Sequence, residues 1–389
     1  MKAVCWYGST DVRVENVPEP KITNPHDAIV RVTCATICGS DLHLYSGLVP
    51  TVEKGDIIGH EFIGEIVAVG PEVKRLKSGD RVVVVSVIAC GKCSYCKDGL
   101  WSLCDNSNPN AVQQEKVLGY STAAIFGYSH LFGGYAGAFA EYVRVPFAEN
   151  SAFKVPSDLP DEKLVFISDS VPTGYMGAEN CDIKHGDTVA VWGSGAVGLF
   201  AMKSARMLGA EKVVAIDRFQ WRLDKAKEFC GAICVNYENE NVIDVLKDIT
   251  AGRGPDKCID AVGMEAHTTG LGDLYDKAKQ AVRLETDRPH VLRDAFISCR
   301  KGGTVSILGV YAGLVDKVPF GALFNKALII RSGQMNGQKY APMLIDKLIK
   351  NELDPSFVVT HRMKLDQTPE AFKIFRDKRE SCVRIILRP

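Results

Sequence analysis

Residues 188–217, TVAVWGSGAVGLFAMKSARMLGAEKVVAID, read as strand, glycine turn, helix and strand in succession. The apolar run TVAVW feeds Gly193, Gly195 and Gly198 in the spacing GxGxxG, and good helix formers follow. A lone GxGxxG is weak evidence. Here the glycines stand where a strand must turn tightly, where a pyrophosphate must approach the main chain and where a helix must pack on a sheet. The helix opens at Ala196 and Val197, so its amino terminus faces the phosphates. Asp217 ends the next strand, 24 positions after Gly193, and can accept hydrogen bonds from both hydroxyls of an adenosine ribose. A 2′-phosphate would meet its negative charge, which favours NAD over NADP; Arg218 and Arg222 close by are the opposing signal. The βα rhythm continues through GAICVNY, PDKCIDAVG and GGTVSILGVY and completes a doubly wound sheet.

Outward from this unit the pattern changes. Up to about Arg81 the chain is β-rich and turn-punctuated: DAIVRVTCATI and EFIGEIVAVG are strand-like runs bounded by Pro, Gly and Asp, as in a barrel-like antiparallel domain. A chain of 389 residues is long for one compact core, so two domains are expected. Lys plus Arg equals Asp plus Glu at 47 each, so charge favours neither nucleic acid nor a membrane as partner, and a small molecule is the better prior. No apolar run reaches the roughly 18 residues that span a bilayer, and the amino terminus lacks a signal-peptide core, so a soluble, cytoplasmic protein is expected.

Thirteen cysteines without an export signal point to metal ligands and buried thiols rather than disulfides. The stretch CGKCSYCKDGLWSLC sets Cys90, Cys93, Cys96 and Cys104 in two CxxC steps that share a thiol, with a fourth cysteine following. Four thiolates close a tetrahedral zinc. A redox pair would not need four thiols, and a nucleic-acid zinc ribbon would bring an excess of basic charge. With no open position, such a site serves folding rather than chemistry. Cys5, Cys34, Cys181, Cys230, Cys234, Cys258, Cys299 and Cys382 read as core fillers.

Cys38 and His60, in CGSDLH and IIGHEFIGEIVAVG, are donors zinc prefers, and a catalytic zinc needs a third protein ligand with one position left open. Ser40 and His43 follow the thiolate, where a hydroxyl and an imidazole could carry a proton away from a metal-bound oxygen. Taken alone, these residues are better read as a buried thiol and an ordinary surface histidine. Glu61, next to His60, is either a carboxylate orienting the site or a surface acid.

The order CGSDLH, GHEFIGEIVAVG, GDRV at 79–82, the four-cysteine lobe and GSGAVG resembles the zinc-dependent medium-chain alcohol dehydrogenases (medium-chain dehydrogenase/reductase) along nearly the whole chain. The resemblance implies an α/β oxidoreductase: a GroES-like β-rich catalytic domain with an inserted doubly wound (Rossmann) nucleotide-binding domain. The implied bounds are 1–170, 171–332 and 333–389, the last segment returning to the catalytic domain through YAPMLIDKLIKNEL, TPEAFKIFRDKR and CVRIILRP. It places Asp169 as third ligand of the catalytic zinc with Cys38 and His60, allows Glu61 an occasional ligand role, and implies two zinc ions and NAD per chain. The implied reaction is hydride transfer from a primary alcohol or hydrated aldehyde to NAD. A polyol or amino-alcohol dehydrogenase on the same scaffold is the alternative, and a homo-oligomer, dimer or tetramer, is expected. A regulatory protein without chemistry, or a zinc-free reductase, would have lost these ligands.

Two stretches depart from a plain pattern. Residues 105–121 look like a long polar loop, walling a pocket or forming a subunit contact, and His130 beyond it is read as structural. The connection 264–293 exceeds a helix crossover and resembles an insertion in the glutathione-independent formaldehyde dehydrogenases, where it is associated with NAD that stays bound. It is read as a cover over the adenine side of NAD or as an exposed loop, and the first reading brings an aldehyde dismutase into play.

Overall fold

A computed structural model describes residues 1–265, 290–311, 315 and 317–389. The connection 264–293, read as a cover over NAD or as an exposed loop, therefore lies largely outside the described residues. The chain divides into a unit of Met1–Pro172 with Met335–Pro389 and a unit of Thr173–Gln334.

In the first unit β1 (Lys2–Gly8) and β2 (Asp11–Asn16) form a hairpin. The main sheet begins with β3 (Ala28–Thr36), β4 (Phe62–Val69) and β5 (Arg81–Val84), paired antiparallel in that order. β6 (Val87–Ile88) and β7 (Ala124–Ile125) form a small ribbon, while β8 (Tyr142–Val145) joins β3 and β9 (Ala152–Lys154) joins β5. Alternating β-branched residues put Val30, Val32, Ile66, Val82, Val84, Val143 and Val145 into one core. Each such side chain contributes about 1.5–3 kcal/mol when fully buried. Gly64 is required where β4 meets β3, because a Cβ there would run into the carbonyl oxygen of Arg31.

Among the described residues the second unit holds a six-stranded parallel sheet. Its strands are β10 (Thr188–Trp192), β11 (Lys212–Asp217), β12 (Ile233–Asn236), β13 (Lys257–Asp260), β14 (Thr304–Ile307) and β15 (Ile329–Ser332). Their order, β12-β11-β10-β13-β14-β15, is the doubly wound one, with the reversal of chain direction across the sheet between β10 and β13. All four residues of β13 and all five of β10 are buried, as expected of strands covered on both faces.

After Gly333 the chain returns to the first unit through helices Gly337–Ile349 and Thr368–Asp377. β16 (Val359–Lys364) and β17 (Arg384–Arg388) complete the main sheet, β17 pairing with β3 and lying parallel to β16. One expectation needs correction: the polar stretch after Asp105 is not all loop, because Ala111–Leu118 is helical and stops at Gly119 in the left-handed region, φ +81°. The helix turns inward a polar residue, Gln114, whose Oε1 accepts from Asn108 Nδ2 at 3.0 Å and Thr122 N at 2.8 Å. Val112 and Val117 stay exposed, so the stretch shows no apolar periodicity. Among the described residues no helix is long and apolar enough to cross a membrane.

Candidate active site

β3 delivers the chain to Cys38, which caps the short helix Gly39–Tyr45. Asp41, three residues on, accepts the Cys38 N–H through Oδ2 at 2.8 Å, closing the first turn. Its other oxygen lies 3.0 Å from His60 Nδ1, at the entrance to β4. One buried carboxylate thus positions both residues. The donor atoms of Cys38, His60 and Glu61 lie within 4.8 Å of one another, and all three residues are buried.

The donor set fits zinc on its chemistry. A thiol, an imidazole and a carboxylate converge, and the carboxylate at Nδ1 fixes the ring so that Nε2 is left for a metal. Burial disfavours a charged imidazole, but Asp41 outweighs it and raises the His60 pKa. Ser40 Oγ lies 3.3 Å from His60 Nε2, so the hydroxyl stands beside that nitrogen. His43, also buried, is one helical turn on from Ser40.

Glu61 is no surface acid: it is wholly buried. Ser170 Oγ donates to its two oxygens at 2.7 and 2.8 Å, and Arg384 Nη2 lies 3.0 Å from Oε1. Burial pushes the Glu61 pKa up, and the Arg384 charge opposes it. Arg384 enters from β17, donates Nη1–H to the Ile37 carbonyl at 2.5 Å, and points Nη2 at Cys38 Sγ, 3.7 Å away. Asp169, expected as third ligand, follows the 3₁₀ turn Val165–Ser168 and accepts from Ser86 Oγ at 2.5 Å. It stands outside the Cys38–His60–Glu61 cluster, yet close enough for its charge to raise the Glu61 pKa. The two carboxylates repel, and here the one nearer the thiol and imidazole is tied to Arg384.

Asp41, Ser170 and Arg384 escaped sequence reasoning. Asp41 carried a readable signal, an aspartate three residues after a cysteine before a helical run, which is an N-terminal capping pattern. Arg384, in an apolar terminal strand some 350 positions away, carried none. Tyr128 is a further addition: burial brings its phenol up to about 12, with His60 opposing the rise and Asp41 and Cys38 adding to it.

The second cluster is Cys90, Cys93, Cys96 and Cys104, with their sulfurs within 4.8 Å of one another. Cys90 and Cys96 sulfurs are 4.0 Å apart, as are those of Cys93 and Cys104. Sulfurs about 2.3 Å from one ion stand about 3.8 Å apart at the corners of a tetrahedron, so the cluster has the right size. It is far too open for a disulfide. Burial works against a Cys90 thiolate, but N–H groups of Lys92 and Cys93 and the Asn106 amide point at its sulfur and bring the pKa down to about 7. His130 lies elsewhere, its Nε2 3.1 Å from Asp56 Oδ1. Of the eight other cysteines, seven are buried and Cys234 is half-buried.

In the nucleotide unit β10 runs into Gly193, at φ +91°, and the helix Ala196–Met207 starts beyond Gly195. A Cβ on Gly198 would strike the carbonyl oxygen of Gly193, so the third glycine is what lets the helix close on the turn. Asp217 accepts the N–H of Ser194 at 2.7 Å through Oδ2, and those of Arg218 and Phe219 at 2.7 and 3.0 Å through Oδ1. A carboxylate has about four acceptor positions, so about one remains, at Oδ2. Arg222 Nη1 is 3.7 Å from that oxygen, with its guanidinium over the rings of Phe219 and Trp221.

The fold is that of zinc-type alcohol dehydrogenases, and the chain belongs to that family. Residues 24–157 match the alcohol dehydrogenase GroES-like domain and residues 196–272 the zinc-binding dehydrogenase family. The zinc-type alcohol dehydrogenase-like protein AdhB of Bacillus subtilis is 41% identical over 100% of both chains. Formaldehyde dismutase of Pseudomonas putida is 33% identical over 96% of this chain and 94% of its own. Among solved structures, alcohol dehydrogenase TADH from Thermus sp. ATN1 superposes with a TM-score of 0.83 at 34% identity, covering 100% of this chain and 99% of that one.

Proposed function

We propose that the protein transfers hydride from a primary alcohol or hydrated aldehyde to NAD, with one catalytic and one structural zinc per chain. The observation that carries this reading is the buried Cys38–His60–Glu61 cluster with Asp41 behind His60. Cys38, His60 and a carboxylate of the Glu61 and Asp169 pair would hold the catalytic ion; Cys90, Cys93, Cys96 and Cys104 would hold the structural one. Zinc in the first site supplies Lewis acidity toward a substrate oxygen, and NAD supplies the hydride acceptor. Gly193, Gly195, Gly198 and the N–H groups of Ala196 and Val197 would cradle the pyrophosphate, with Asp217 at the ribose and Arg218 and Arg222 beside it.

The remaining chemistry belongs to the chain. Ser40 Oγ, beside His60 Nε2, is placed to accept the substrate hydroxyl proton and pass its own toward His43. Asp41 holds the imidazole in one tautomer. Arg384 and Ser170 hold Glu61 and set how far its carboxylate can reach. Steady-state rates with NAD over primary alcohols, polyols, amino alcohols and formaldehyde test the reading; a protein that carries zinc and turns over none of them would refute it.

The likeness to formaldehyde dismutase supports a second reading, dismutation of aldehyde to acid and alcohol on NAD that stays bound. Exhaustive desalting, denaturation and assay of the supernatant for nicotinamide decides it: no released cofactor, with an absolute need for added NAD, removes it. We also propose a homo-oligomer formed through β15, the sheet-edge strand. All four of its residues are exposed, with Ile329 at 50% and Phe320 and Phe324 before it at 68% and 77%. A monomer by light scattering would overturn that.

A further inference from the structure

Asp260 ends β13 and is wholly buried. Its main-chain carbonyl accepts the N–H groups of Leu308 and Gly309, just beyond β14, at 2.9 and 3.0 Å. Its side chain works on the same two loops. Oδ1 accepts from Val262 N at 2.9 Å and Gly263 N at 3.1 Å, and Oδ2 accepts from the Tyr311 hydroxyl at 2.8 Å. The loops also touch directly, with Met264 N donating to the Val310 carbonyl at 2.9 Å. Neither Gly263 nor Gly309 has room for a Cβ, because each would meet the main chain of the other loop.

This clamp reaches the phosphate loop. A Cβ on Gly193 would meet Val262 Cγ2 at 2.7 Å, so the residue held by Asp260 packs on the first glycine of GxGxxG. Burying a carboxylate here is costly: burial raises its pKa, with the N–H groups and the phenol opposing. Packing alone would have been served by an apolar residue. The cost is met by three donors from two loops at the reversal point of the sheet, where ligands of doubly wound folds bind. Each half of such a sheet takes one mononucleotide. The glycine loop and Asp217 assign the adenosine to β10–β12, which leaves the β13 and β14 loops to the nicotinamide half.

Resting on the dinucleotide reading above, we infer that the Asp260–Tyr311 pair positions the two loops lining the nicotinamide half of the crevice, and so sets affinity for that half of the cofactor. Both are positioning residues.

The test uses the full-length, zinc-loaded enzyme. Tyr311→Phe removes one hydroxyl and keeps the ring. It should raise Kd and KM for NAD about three- to tenfold, with a much smaller change in kcat. Binding of AMP, which probes only the adenosine half, should change less than about twofold. Asp260→Asn keeps an acceptor for the Val262 and Gly263 N–H groups and an NH₂ that can donate to the Tyr311 oxygen, so it should stay near wild type. Combined with Tyr311→Phe it should fall below either single variant. Tyr311→Phe that lowers Tm but leaves Kd and KM for NAD unchanged, or weakens NAD and AMP alike, would overturn the inference. Wild-type enzyme that binds AMP but not NAD would instead overturn the dinucleotide reading, and the clamp with it.

Discussion

Asp41→Asn isolates the part of the metal site that no ligand count reveals. The Asp41 carboxylate faces two donors, Cys38 N–H at 2.8 Å and His60 Nδ1 at 3.0 Å, in a wholly buried position. Asparagine is nearly the same shape but offers one oxygen and one NH₂. Whichever donor takes the oxygen, the other faces a second donor, at a cost of about 1–3 kcal/mol for a buried unpaired polar group. With the oxygen on the helix cap, the imidazole loses its orienting carboxylate, a change typically worth about 10- to 100-fold in metal affinity. The two estimates agree, since about 1.4–2.7 kcal/mol corresponds to that range. Competition with a chromophoric chelator should release one zinc per chain about 10- to 100-fold more readily than in wild type, with the four-cysteine zinc unmoved. Activity should return as zinc is added. Unchanged release of both ions, or activity that zinc does not restore, would refute the placement of Asp41 behind His60.

Cys93→Ser should lower Tm and soluble yield by opening the four-sulfur cluster, whereas Cys38→Ser should abolish turnover with Tm changed little; metal analysis of each should show which single zinc was lost. Wild type should use NAD at least about tenfold better than NADP, and Asp217→Ala should narrow that gap by removing the repulsion while freeing three N–H groups; equal wild-type kcat/KM with both cofactors would contradict the role of Asp217. Burial works to raise the Asp256 pKa, but the Thr188 N–H and the Arg300 guanidinium overcome it and hold it below the usual carboxylate value. The folded protein therefore binds this proton less readily than the unfolded chain, so the stability Asp256 contributes is full above about pH 4 and lost as pH falls through its folded pKa. Asp256→Asn should flatten the acid limb of urea-derived stability against pH and lower the neutral plateau.

The four-cysteine cluster and the nucleotide turn were legible in the chain because each is local chemistry with a fixed spacing, whereas Cys38 and His60 drew their weight from the family resemblance. Four cysteines within fifteen residues meet without help from distant segments, and GxGxxG between a strand and a helix states its own geometry. The strands of both units were legible for the same reason, since alternation and β-branching act within one segment. What only the tertiary structure decided are the contacts across hundreds of positions. Arg384 reaches Glu61 and Cys38 because β17 pairs with β3, a consequence of the late return of the chain to the first unit. That contact holds Glu61 beside Cys38 and His60, with Asp169 near enough to raise its pKa, an arrangement of two carboxylates that local sequence does not display. Asp260 likewise carries no local signal of its partner; the parallel register of β13 and β14 brings Tyr311 to it. The helix Ala111–Leu118 hid for the opposite reason: it buries an amide and exposes valines, so the pattern that announces most helices is inverted. Residue types and spacing determine which groups can bind metal or nucleotide; which of two equivalent groups does so depends on burial and distant partners, and those exist only once the sheets are assembled.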